Sequence, residues 1–72
     1  MVNANLLRGK IVSCGYTQKD VAVALGMSEN TLTAKINGSS SFTLREVFAL
    51  CRLLHITESQ EKCEIFLAES SQ

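Results

Sequence analysis

Proline and tryptophan are absent from the 72 residues, glycine occurs four times and aromatic side chains make up only 6%. Without proline no helix interior loses an amide or meets a ring clash, and the glycines are spaced widely enough to punctuate helices rather than break them. So short a chain buries only about 60% of the surface it exposes when unfolded, enough for one small core but not for a lid, a second lobe or a deep pocket. Residues 1–72 therefore read as one domain, and a self-sufficient enzyme is not expected. No apolar run approaches the roughly 18 residues that cross a bilayer. Arg8 and Lys10 lie within the apolar N-terminal stretch rather than before it, unlike a secretory leader. The expectation is a cytoplasmic chain with no membrane segment.

Cysteine is also sparse. Cys14, Cys51 and Cys63 are odd in number and widely spaced, so a disulfide framework would leave one thiol over, and there is no C-x-x-C. Reduced thiols acting as small hydrophobes are expected. Cys51 and His55, four apart, with Cys63 following and Cys14 as a distant fourth, come nearest to a metal set, but the spacing matches no zinc pattern. No metal or cofactor is expected. His55 is the only histidine. With no evident carboxylate or nucleophile partner and no glycine-rich phosphate loop in the chain, it reads as a helix C-terminal residue interacting with the dipole.

What the chain does have is 46% apolar residues in helical periodicity and a repeated start device. A Ser or Thr that can cap orphan amides follows an apolar residue that can staple onto the fourth helical position: Tyr16-Thr17 with Val21, Met27-Ser28 with Leu32, Phe42-Thr43 with Val47. Asp20 and Glu46, three residues after Thr17 and Thr43, complete capping boxes and suit the positive end of the helix dipole. Thr57 with Gln60 has the box but no staple. Gly15, Gly26 and Gly38 fall where apolar periodic segments end. These signals predict an all-α chain of five helices: Ala4 to Cys14, Gln18 to Leu25, Glu29 to Asn37, Leu44 to His55 and Glu58 to Ala68. The consecutive Ile65, Phe66 and Leu67 leave an extended tail or an edge strand as the alternative for the last.

The second and third helices are joined by Leu25-Gly26-Met27-Ser28, too short a turn for them to lie antiparallel. The stretch Thr17-Gln-Lys-Asp-Val-Ala-Val-Ala-Leu-Gly-Met-Ser-Glu-Asn-Thr-Leu-Thr-Ala-Lys-Ile-Asn-Gly38 resembles the helix-turn-helix core of the Cro and phage-repressor class of transcriptional regulators. The likeness includes Gln18 after the cap, Ala22, Gly26, Ser28, Leu32 and the closing Asn37-Gly38. With one helix before the motif and two after it, the resemblance covers nearly the whole chain. It implies a lambda-repressor-like five-helix DNA-binding domain, with the third helix in the major groove and the start of the second against the backbone.

On that resemblance, Gln18 and Lys19 would meet phosphates. Ser28, Glu29, Asn30, Thr33 and Ala34 would face base edges: Asn30 toward adenine, Glu29 toward cytosine N4, Thr33 toward a thymine methyl. Lys35 would take phosphate or guanine, and Asn37, Ser39 and Ser40 would donate to backbone oxygens. The competing structural reading makes the same residues the solvated face and caps of an amphipathic helix.

The formal charge of zero divides at residue 45. Arg8, Lys10, Lys19, Lys35 and Arg45 against Asp20 and Glu29 make the first part +3, while Arg52 and Lys62 against Glu46, Glu58, Glu61, Glu64 and Glu69 make the remainder −3. From Ser28 to Asn37 there is one Lys against one Glu. So weak a basic face predicts low affinity for one copy, which a homodimer on double-stranded operator DNA would offset. Phe48, Ile65, Phe66 and Leu67 are the candidates for that interface, with core packing as their competing fate. The alternative function is a protein-binding module that grips another phage repressor, as an anti-repressor or modulator does.

Overall fold

The computed structural model of the chain describes residues 2–66. Among them are five helices and no strand: α1 (Ala4–Ser13), α2 (Gln18–Leu25), α3 (Glu29–Asn37), α4 (Leu44–Leu53) and α5 (Ser59–Phe66). The all-α expectation holds. None of these helices is long and apolar enough to cross a membrane.

Four helices begin on a side chain that accepts a first-turn amide: Asn3 from Leu6, Thr17 from Asp20, Ser28 from Thr31 and Thr43 from Glu46. Thr17 with Asp20 and Thr43 with Glu46 close as reciprocal capping boxes. Both sites leave fewer helix amides without partners, and both put a carboxylate at the positive end of a helix dipole.

The same four helices end alike. An amide two or three residues past the helix reaches back to a carbonyl five residues earlier: Tyr16 to Ile11 at 3.0 Å, Met27 to Ala22 at 3.0 Å, Ser39 to Ala34 at 2.9 Å and Ile56 to Cys51 at 2.8 Å. Such a closure needs a left-handed residue just before the donating amide. Glycine fills that position three times, but after α4 it is His55, at φ 57°. This accounts for α4 stopping at Leu53, two residues short of the predicted end, since the chain leaves the right-handed region at His55. The left-handed residue after α1 is Gly15, and that helix ends one residue early, at Ser13. In α5 the described part is helical through Phe66, beginning at Ser59 rather than Glu58; the predicted continuation through Leu67 to Ala68 lies outside the described residues.

Leu7 and Ile11 from α1, Val21 and Ala22 from α2, Leu32 and Ile36 from α3, Leu50, Cys51 and Leu54 around α4, then Ile56 and Ile65 form one buried cluster. The three stapling residues Tyr16, Met27 and Phe42 pack against it, half-buried, so each cap is tied to the core by its preceding side chain. The Asn3 amide donates to the Ile65 carbonyl at 2.6 Å, fastening the start of α1 to α5. Burial pushes the Cys51 thiol above its ordinary value, which keeps it protonated and unreactive.

Gly26 and His55 occupy equivalent places with opposite chemistry, and their substitutions should differ in sign. An added Cβ at Gly26 meets no heavy atom within 4 Å, so Gly26→Ala carries only the torsional penalty of φ +73°. It should destabilise by about 1–2 kcal/mol. His55→Gly relieves the same penalty and should stabilise by up to about 1 kcal/mol. Urea unfolding midpoints at constant m-value measure both.

Candidate nucleic-acid interface

The side of α3 away from the core begins at its cap. Ser28 Oγ accepts from the Thr31 amide at 3.1 Å and pairs with Thr31 Oγ1 at 2.9 Å. Glu29 and Asn30 follow, both exposed, then Thr33 and Ala34, half-buried, and at the far end Asn37, Ser39 and Ser40, exposed again. The Ser39 and Ser40 amides are spent on the Ala34 carbonyl, at 2.9 and 3.3 Å, so only their hydroxyls remain to meet a ligand. Lys19 is exposed in the first turn of α2.

Gln18 is the joint between α2 and this face. Its Nε2 donates to Thr33 Oγ1 at 3.1 Å, and its Oε1 accepts from Arg8 Nε at 3.4 Å. The same guanidinium donates through a terminal nitrogen to Asn37 Oδ1. Arg8, Gln18, Thr33 and Asn37 thus form a chain of polar contacts across α1, α2 and α3 that fixes three predicted site residues. Because the Thr33 hydroxyl accepts from Gln18, its own proton is the donor left to offer. Arg8 is missing from the sequence-predicted set: its partners lie 10 and 29 positions away, beyond any local spacing rule. The carboxamide oxygens that hold it are neutral, so its charge is positioned without being cancelled by them.

Lys35, which the resemblance gives to phosphate or guanine, is engaged within the fold. Its ammonium donates to Glu46 Oε1 at 2.9 Å and to the Ser41 carbonyl at 3.0 Å, and lies 6.0 Å from the centre of the Phe42 ring. The side chain is only 13% exposed. It is turned toward the α3–α4 loop, away from the free face, because that loop offers a carbonyl, a carboxylate and an aromatic face within one side chain's reach. Glu46 Oε1 also accepts from the Thr43 amide at 2.9 Å, so the cap of α4 and the latch on α3 share one oxygen. The Thr43 amide first, then the Lys35 ammonium, hold the Glu46 carboxyl below its usual range. The Thr17 amide and hydroxyl do the same to Asp20.

The apolar residues predicted for an interface are divided. Ile65 lies in the core at 2% exposure, on the inward side of α5, and so is unavailable as a surface contact. Phe66 is half-buried, with its ring edge-on to Phe42 at 6.4 Å between centres. Phe48 stands out at 61% exposure. Leu67 lies outside the described residues. Lys10, counted with the basic half, pairs with Glu61 at 3.1 Å.

Residues 3–69 match the sequence profile of a family described as a protein of unknown function (DUF739), and the chain belongs to that family. No curated protein matches it.

The shared oxygen of Glu46 gives a pH dependence of known sign. A carboxyl whose folded value is lowered adds stability that is complete above its unfolded value, about 4.3 for Glu, and is lost as pH falls through the lower folded value. Glu46→Gln should therefore lower stability by about 0.5–1 kcal/mol at neutral pH, the range for a partly screened pair. It should also make the fall in thermal midpoint below about pH 4.3 shallower. The slope left over is assigned to Asp20, which shifts in the same direction.

Proposed function

We propose that this member of the DUF739 family is a small transcriptional regulator of the Cro and phage-repressor kind, in which α2 and α3 form a helix-turn-helix that binds operator DNA. One observation carries the reading: the Gly26-Met27-Ser28 turn joins two helices whose inner sides, Val21, Ala22, Leu32 and Ile36, share one core, while Lys19, Glu29 and Asn30 remain exposed. In this reading α3 enters the major groove N-terminus first. Asn30 and Glu29 meet base edges, Thr33 is aimed by Gln18, and Lys19, Arg8 and Arg45 take phosphates. Two copies on a two-fold operator double these contacts.

With Lys35 engaged by Glu46, few cations reach the backbone, so the complex depends on base contacts more than on phosphate. Each neutralised phosphate adds about 0.9 to the slope of log affinity against log salt. Two or three per copy predict a slope of about −2 to −3 per protomer. The withdrawn Lys35 also favours a second reading, in which the α3 face grips another regulator and weakens or redirects that protein's DNA binding.

A salt series of fluorescence anisotropy on DNA flanking the protein's own gene separates the two. Saturable binding with the stated slope supports the DNA reading; absent or salt-insensitive association overturns it in favour of the protein partner. On the DNA reading, Asn30→Ala should lose about 1–3 kcal/mol at one base position and relax discrimination there. Lys35→Ala should leave DNA affinity within about 0.5 kcal/mol, as for a residue outside the contact. Glu46→Gln, which frees the ammonium, should steepen the salt slope by about one unit.

A further inference from the structure

The outer side of α4 is unlike the rest of the surface. Leu44 and Phe48, one helical turn apart, are 70% and 61% exposed. Arg45 and Arg52 flank them on the same side of the helix, both exposed. Neither guanidinium has a hydrogen-bond or ion-pair partner among the described residues. Glu46, the only acidic residue in α4, is turned back to Thr43 and Lys35. The result is an apolar ridge about one turn long, bordered by two guanidinium groups about two turns apart and facing solvent.

We propose that this ridge is a docking surface for an acidic amphipathic helix of another protein, whose apolar side chains cover Leu44 and Phe48 and whose carboxylates pair with Arg45 and Arg52. Charge decides the occupant. A second copy packed ridge to ridge would bring four guanidinium groups into one seam with no α4 carboxylate between them, the arrangement that like-charge repulsion opposes. A helix carrying Glu at i and i+7 beside its apolar anchors matches the seven-residue spacing of the two arginines and gains the bidentate geometry that guanidinium favours. This goes beyond the operator reading and does not rest on it: Arg45, which that reading gives to phosphate, is engaged here in the absence of DNA, and none of the readouts contains DNA.

The test uses two fluorescein-labelled amphipathic peptides on an Ala-rich helical scaffold, one with Leu anchors flanked by Glu and one with Lys at the same places. Anisotropy is read with the full chain and with two variants, Phe48→Ser and the double change Arg45→Glu with Arg52→Glu, all at exposed positions that leave the core intact. Expected are about tenfold tighter binding of the Glu peptide than of the Lys peptide, a loss of about tenfold in Phe48→Ser, and inverted preference in the double variant. Circular dichroism melting confirms that each variant is folded. Failure to bind either peptide, equal binding of both, or indifference to Phe48→Ser would overturn the proposal. So would sedimentation showing a wild-type dimer that Phe48→Ser dissolves, because a second copy would then cover the ridge.

Discussion

The passage from α2 to α3 constrains everything else in the molecule. Gly26 ends one helix in the left-handed region, Met27 sends its amide back to Ala22, and Ser28 already caps the next helix. Three residues thus close one set of orphan carbonyls and open another set of orphan amides with none to spare. The directions of both helices follow, and with them the burial of Val21, Ala22, Leu32 and Ile36 in one core. The exposure of Glu29 and Asn30 follows too, because the inward side of α3 is already committed. Gln18 then spans the same angle from outside, so the geometry of the free face is held by a core on one side and by a polar joint on the other.

Electrostatics give that face its character. A naive count of cations makes the first part of the chain a basic surface, but Lys35 is committed to Glu46 and Lys10 to Glu61. Arg8 keeps its charge while being held by two neutral oxygens, which is the more useful condition for meeting an anion: the group is positioned and its charge uncompensated by those partners. The proposed function therefore trades long-range attraction for short-range geometry. That is consistent with a small domain whose specificity lies in a few side chains at one helix terminus.

Local structure was legible in the sequence because it is written in local signals. The capping boxes, the staples and the glycine stops are all patterns within five residues, and α2 and α3 fall on their predicted bounds. Where α4 departs from expectation, the cause is a left-handed His55, for which composition offers no warning, since the rule that places glycine there is a preference and not a requirement. The candidate site was legible only in outline. Exposure of Glu29, Asn30 and Asn37 follows from helical periodicity, but the fates of Arg8 and Lys35 depend on partners brought near by tertiary packing. Nothing in the spacing distinguishes a lysine that points outward from one folded back over Phe42. Ile65 and Phe66 show the same limit: consecutive apolar residues reveal that something is buried, and only the fold decides that Ile65 is.

The central claim is that the outward side of α3, aimed by Gln18, is a surface for reading DNA. Amide chemical-shift mapping with a short duplex carrying the operator, set against an unrelated duplex at the same salt, tests it residue by residue. The account predicts that the operator perturbs a contiguous set running from Gln18 and Lys19 through Ser28, Glu29, Asn30 and Thr33, with Lys35 little affected. It also predicts that the unrelated duplex perturbs mainly Lys19, Arg8 and Arg45. Shifts confined to α4 or α5, or identical patterns from the two duplexes, would contradict it.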